Sequence, residues 1–315
     1  MLGAYPTDRA DSGSLSNAVW VDLIDPTDAE RSAFETAFGL SVPTKDELGE
    51  IEATSRLQID HGTLTMTAPL IFAAENEPWL SVPTGFVLSK RVLLTVRYAN
   101  FKAFDAVIKE LGHGASFEPV TAYVRILEEL VDRLADLLES TGRDLDEASH
   151  VIFRQDNAKR LSRETSLLRQ LMIRTGRTSE RMARIHYTLV CLDRMAKFAV
   201  DRAHDWLAAD HAARLQSVSS DIGSLVQFSE GLVSRVQLLQ DAATGIINID
   251  QNDVMKVLTI ASVVGIPPVL VVGIYGMNFK YMPEYDWAWG YQYAWALIVI
   301  TALVPLIWFK WKDWI

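Results

Sequence analysis

Two hydrophobic patterns divide this chain. Before about Ser116 the apolar residues come in short runs rich in Val, Ile, Leu, Thr and aromatics: "AVWVDLID" (18–25), "LQIDHGTLTMTAPLIF" (57–72) and "GFVLSKRVLLTVRY" (85–98). Gly or Lys-Arg stands where hairpin turns are needed, so these runs predict strands. Between them "DPTDAERSAFETAFG" (25–39) opens on a capping residue and closes on Gly39, which predicts a short helix. Residues 1–116 are thus expected to form an α/β domain. From Val120 the apolar residues recur every three or four positions, and "VTAYVRILEELVDRLADLLESTGRDLDEASHVIF" (120–153) predicts a long amphipathic helix. Glu128, Glu129, Asp132, Asp136 and Glu139 occupy the rest of its surface and read as a solvated face.

Residues 117–209 are expected to be helical, with breaks near 174–180 and 208–211. A last helix over 210–275 would be about 100 Å long at 1.5 Å per residue, too long to stand unsupported, and the simplest support is further copies of itself. Its end is apolar. No charged residue occurs from Val257 to Tyr275, or again from Tyr291 to Phe309, 19 positions each. Each run matches the roughly 20 residues that cross a bilayer core, so transmembrane helices are expected over about 255–275 and 291–309, joined by an outer loop, 276–290, and followed by a basic tail, 310–315. Six of the nine tryptophans (Trp287, Trp289, Trp295, Trp308, Trp311, Trp314) mark the ends of these runs, where an amphipathic indole suits the headgroup zone. Lys256, Lys310 and Lys312 flank the spans on one side, which puts both termini in the cytoplasm.

A 3.5-residue stripe runs along the long helix through Asp241, Gly245, Asn248, Asn252, Met255, Thr259, Ser262, Ile266, Val269, Gly273 and Gly276. A bundle seam would want Leu or Ile at such positions; small and polar residues in register suggest the lining of a water-filled bundle. The stripe ends at Gly276-Met277-Asn278. Taken alone, Asn278 reads either as a helix cap tolerant of the left-handed conformation or as a neutral oxygen offered to an ion.

Charge and composition narrow the function. Against 30 basic residues stand 40 acidic ones, a net charge of -10 that argues against a nucleic-acid partner and suits cations. The single Cys191 forms no internal disulfide and reads as a small buried residue of a helix, as in a reducing cytoplasm. The opening "MLGAYPTDRADSGS" has no apolar core behind positive charge, so no secretory signal is expected. Walker-type loops, His-Glu-x-x-His helices and Cys or His clusters are absent from the sequence; neither an enzyme nor a cofactor is expected.

"YGMNFKYMPE" (275–284), preceded by "NDVMKVLTI" (252–260) and a proline-bearing span and followed by a span ending "WFKWKDWI", resembles the CorA family of divalent-cation channels, described as magnesium transporters. The likeness is strong over 241–315. It is looser upstream, at "VWVDLIDPT" (19–27) and "EIEATSR" (50–56). The resemblance implies a homopentamer whose subunits each contribute an α+β cytoplasmic domain with long helices and two C-terminal transmembrane helices, the first lining a central pore in the bilayer. It places a ring of Asn278, supported by Gly276 and Met277, at the outer mouth as selectivity filter, and Met282, Pro283 and Glu284 in the outer loop. The cytoplasmic neck would carry Asp241, then Asn252, Met255 and Leu258 or Thr259; with Ser262, Ile266 and Val269 from the stripe these are the expected pore and gate residues. Met255 and Leu258 suit a hydrophobic gate. Mg²⁺ is then both substrate and regulatory ligand, bound between neighbouring cytoplasmic domains to close the pore, with Asp221, near Ser217, as the candidate carboxylate. Co²⁺ and Ni²⁺ are further expected substrates. A Zn²⁺ transporter of the same architecture and a non-conducting membrane-anchored sensor or scaffold are the alternatives.

Overall fold

Residues 1–6, 15–50, 52, 56–72, 79–111, 117–153, 165–278, 280–312 and 314 are described by the structure, a computed structural model. It comprises two compact units, 1–151 with 170–240 and 152–169 with 241–315.

In the first unit the three expected strand segments become five strands, because two tight turns cut them. His61 and Gly62 take positive φ (47° and 78°) and separate β3 (Leu57–Asp60) from β4 (Thr63–Phe72). The turn at Ser89–Val92, closed by the Ser89 N–H to the Val92 carbonyl at 3.0 Å, separates β5 (Leu80–Leu88) from β6 (Leu93–Arg97). β5 begins five residues before the expected Gly85. β2 (Trp20–Ile24) falls within its expected segment, whereas β1 (Leu2–Tyr5) was not anticipated: four residues with one glycine carry little alternation. The sheet order is β1-β2-β6-β5-β4-β3, antiparallel except for the β2–β6 pair.

That parallel pair carries a buried ionic network. Trp20, Asp22, Thr95 and Arg97 are each at most 2% exposed. Arg97 donates Nη2 to Asp22 Oδ2 at 2.8 Å and Nη1 to Asn100 at 2.8 Å, Thr95 donates to Asp22 Oδ1 at 2.6 Å, and the Trp20 indole donates to Thr95 at 3.0 Å. Every charged atom is therefore answered, as burial of an ion pair requires. On the opposite face of the sheet Val21, Leu23, Phe34, Leu94 and Val96 form a hydrophobic core. Phe34 comes from α1 (Asp28–Phe38), which ends at Gly39 with φ 68°, as the sequence predicts, and whose capping residue is Thr27 in a Thr27–Glu30 capping box. The four-residue α2 (Lys45–Leu48) places Leu48 over Gly85, where a Cβ would stand 2.7 Å from Leu48 Cδ2. α3 (Lys102–Leu111) completes the packing with Phe104, whose ring lies 4.8 Å from the Arg97 guanidinium.

The long helices are α4 (Pro119–Phe153), α5 (Thr165–Arg202) and α6 (Ala209–Tyr275). The break expected at 174–180 does not occur. Gly176 is exposed with nothing within 4 Å, while Thr175 and Thr178 are buried and return their hydroxyls to the carbonyls of Met172 and Arg174, both at 3.0 Å. A lone helical glycine costs about 1 kcal/mol and does not stop a helix whose neighbours pack. The second expected break is present, between Arg202 and Ala209. Within the first unit α6 buries Leu215, Val218, Ile222, Ser229, Leu232, Val236 and Leu239, with Leu225 partly covered, in steps of three and four. This is a heptad seam of the kind that packs helices side by side. Leu232 lies over Gly142 of α4, His186 of α5 meets Ser229 at 3.1 Å, and Arg214 grips Glu128 of α4 through bonds of 2.9 and 2.6 Å. Cys191 is buried, as expected.

In the second unit α6 continues to Tyr275, a 3₁₀ turn follows at Pro283–Asp286, and α7 spans Gly290–Trp311. α6 and α7 are long and apolar enough to cross a membrane. Pro267 and Pro268 do not interrupt α6, although they withhold the N–H donors that Val263 and Val264 carbonyls would receive; apolar surroundings make any alternative backbone arrangement costlier still.

Candidate functional site

The end of α6 is built without a left-handed cap. Gly276 donates its N–H to the Val272 carbonyl at 2.9 Å and Met277 donates to Ile274 at 3.2 Å, so the last turn tightens and the chain leaves the helix. Neither Gly276 nor Asn278 has positive φ, so the capping reading of Asn278 does not describe its conformation. What Gly276 provides is a lack of bulk: a Cβ there would meet the Val272 carbonyl oxygen at 3.3 Å. Asn278 is exposed and its side chain makes no hydrogen bond among the described residues. Phe279 lies outside them, as do parts of "EIEATSR" and the basic tail at 313 and 315.

The loop folds back so that the two motifs meet. Met277 and Asn278 line one cavity of about 810 Å³ together with Met282, Pro283, Lys280 and Asp286. Gly276 and Glu284 line a second, of about 590 Å³, with Tyr275, Trp287, Gly290 and Trp295. Gly290, the first residue of α7, holds this arrangement: a Cβ at 290 would sit 2.2 Å from the Glu284 carbonyl oxygen. Its own N–H donates to the Trp287 carbonyl at 3.0 Å, and the Trp287 ring meets Tyr293 edge-on at 5.7 Å. Gly290 was not legible in the sequence, since a glycine beside a loop carries no signal of what approaches it. Lys280 and Asp286, loop charges that belong to no motif, join Asn278 at the same cavity.

The expected pore residues occupy one face of α6. Its partly covered line in this segment runs through Ile260, Val264 and Val271, the last at 9% exposure, and α7 has a matching line through Ala294, Ile298 and Phe309. At the α-helical 100° per residue, Met255, Ser262, Ile266, Val269 and Gly273 lie about 180° away from that line. Met255, Ile266 and Val269 are 59%, 60% and 71% exposed. Leu258 and Asn252 flank them and are exposed too. Thr259 is half-buried and donates its hydroxyl to the Met255 carbonyl at 2.8 Å, so toward solvent it offers only lone pairs. Asp241 is exposed. Asp221 is exposed beside the heptad seam, and among the described residues no three His, Cys, Asp or Glu come together to hold a metal.

Residues 16–311 match the family described as "CorA-like Mg2+ transporter protein". The chain is 33% identical over 309 residues to the magnesium transport protein CorA of Wolinella succinogenes, covering 96% of this chain and 92% of that one. It is 31% identical over 308 residues to the magnesium transport protein CorA of Escherichia coli strain K12, covering 97% and 94%. Among solved structures, the CorA magnesium transporter of Methanocaldococcus jannaschii superposes with a TM-score of 0.75 at 19% identity, over 94% of this chain and 91% of that one. The full-length CmaX protein superposes with 0.69 at 18% identity, over 94% and 88%. The α+β domain, the long helices and the two apolar C-terminal helices thus recur in the CorA fold, and on both the family match and the full-length relatives this chain belongs to the CorA-like Mg²⁺ transporter family.

Proposed function

We propose that this chain is the subunit of a membrane channel for hydrated divalent cations, with Mg²⁺ the principal substrate, assembled as a homopentamer around the Met255–Ser262–Ile266–Val269 face of α6. The observation that carries the reading is the relationship to magnesium transport proteins at 31–33% identity over more than nine-tenths of each chain. The exposed apolar stripe supports the assembly, because a helix face of this kind is covered by lipid or by other copies. Both termini are cytoplasmic in this reading, with Lys310 and Lys312 at the inner surface.

The chemistry of the outer mouth fits the ion. Mg²⁺ demands six oxygens in octahedral geometry and parts with its waters reluctantly, so a ring that hydrogen-bonds those waters passes the ion without stripping it. Asn278 offers a neutral amide with no competing partner among the described residues. Neither apolar run contains a carboxylate that would trap a divalent ion. An inside-negative potential of 100 mV contributes about 4.6 kcal/mol to a divalent cation, twice the value per unit charge. Cytoplasmic Mg²⁺ bound at Asp221 against a neighbouring subunit would close the pore, which agrees with Asp221 being exposed and in no group of three metal-ligating side chains among the described residues.

Proteoliposomes loaded with a Mg²⁺ indicator test the filter: Asn278→Ala is expected to abolish uptake while leaving the assembled size unchanged. Wild-type flux in the variant would sink the assignment. Parallel traces with Co²⁺, Ni²⁺ and Zn²⁺ rank the ions, and higher flux with Zn²⁺ than with Mg²⁺ would favour a zinc transporter instead.

A further inference from the structure

In the first unit an arginine-lined cavity of about 380 Å³ lies between α4 and α5, at the lower end of the range for small-ligand sites. Three guanidinium groups, of Arg174, Arg177 and Arg181, line it beside Asp144, Gln170, Ile173 and Thr178. Their spacing of three and four residues sets them within about 60° of one another around α5.

The three are held differently. Arg174 is neutralised by Asp144 at 3.3 Å and Glu147 at 2.9 Å. Arg181 stacks 4.8 Å over the Trp79 ring, which fixes a guanidinium without cancelling its charge. Neither Arg177 nor Arg181 has a carboxylate partner among the described residues, and the nearest candidate in sequence, Glu180, is engaged by Arg184 at 2.8 Å. Two arginines of a chain of net charge -10 thus share one cavity without a carboxylate partner among the described residues. Such forks match the oxygens of a phosphate group better than they match solvent.

We propose that this cavity binds a phosphate-bearing ligand. Arg177 and Arg181 contact its oxygens, and Arg174, locked by its two carboxylates, forms the wall behind them. The phosphate chemistry is shared by soluble phosphates and by phospholipid headgroups. The experiment separates these sources.

Full-length protein in detergent is titrated calorimetrically with inorganic phosphate and with ATP in the absence of Mg²⁺, and phosphatidylglycerol retention is measured by native mass spectrometry against phosphatidylcholine. Binding of phosphate or ATP identifies a soluble ligand, and selective retention of phosphatidylglycerol alone identifies a headgroup. In either case Arg177→Gln/Arg181→Gln is expected to weaken binding at least tenfold and raised salt to weaken it further, while Arg184→Gln binds as wild type. Should the double variant fail to assemble, Arg177→Gln alone carries the test, because Arg177 is exposed on the helix and its loss leaves no buried gap. Absence of binding by wild type to every probe, or equal binding by the arginine variants, overturns the proposal. Mg²⁺ flux is read separately, so the outcome is independent of the channel assignment.

Discussion

Replacing Gly290 by alanine is expected to dislodge the outer loop. The new Cβ would stand 2.2 Å from the Glu284 carbonyl oxygen and 3.3 Å from its carbonyl carbon, where ordinary contacts begin at 3.4 Å. The backbone must therefore move by more than 1 Å, and no rotamer change relieves it because the opposing atoms are main chain. The movement strikes the hydrogen bonds that close the turn, from Trp287 N–H to Glu284 at 3.4 Å and from Gly290 N–H to Trp287 at 3.0 Å. Overpacking of this kind costs about 1–3 kcal/mol. Since Glu284 and Trp287 share a cavity with Gly276, the displacement reaches the motif proposed as the filter. Thermal unfolding of the detergent-solubilised protein and Mg²⁺ flux into proteoliposomes are the paired assays: a lower Tm and reduced flux are expected. Gly176→Ala is the control. That site is helical and open, so the substitution should leave flux intact and stabilise by up to about 1 kcal/mol. If Gly290→Ala kept both wild-type Tm and wild-type flux, the argument that this contact holds the loop would be wrong.

Two further outcomes follow from the first unit. Asp22→Asn leaves the Arg97 guanidinium buried at 1% exposure without its counter-charge, and should destabilise by about 3–5 kcal/mol in urea unfolding; a loss below about 1 kcal/mol would contradict the network's assigned role. Burial pushes the Glu128 carboxyl up, but hydrogen bonds from Arg214 and Arg125 outweigh it and hold the group below its ordinary value. A carboxylate lowered on folding contributes stability that is present above its unfolded pKa of about 4.3 and is lost as pH falls through the folded one. Glu128→Gln should therefore be less stable than wild type at pH 7, and the gap should close as pH drops below about 4; a gap that stays constant with pH would refute the ionic account.

Much of the fold was legible because its signals are local. The switch from short β-rich runs to three- and four-residue spacing announced the sheet and then the helices, and a capping residue and Gly39 bounded α1 as expected. The misreadings have a common origin. Gly176 looked like a break because propensity was weighed without Thr175 and Thr178, whose burial stabilises the helix through that point. Tyr275 to Glu284 carried enough pattern to suggest the family, yet nothing in it showed that Met282 and Pro283 return to Asn278, or that Gly290 must approach Glu284.

By itself the sequence determined the two apolar runs, their aromatic and basic flanks, the Gly-Met-Asn turn and the register of a stripe with small and polar side chains. Each is a property of neighbouring residues and follows from a 3.6-residue turn and from the cost of burying charge. Tertiary structure decided which face of α6 is covered by the Leu215–Leu239 seam, that Asp22 is answered by Arg97 75 positions away, and that three arginines share a cavity. Those outcomes depend on where the chain returns in space. Partners far apart in sequence are chosen by packing and charge together, and no local spacing encodes that choice.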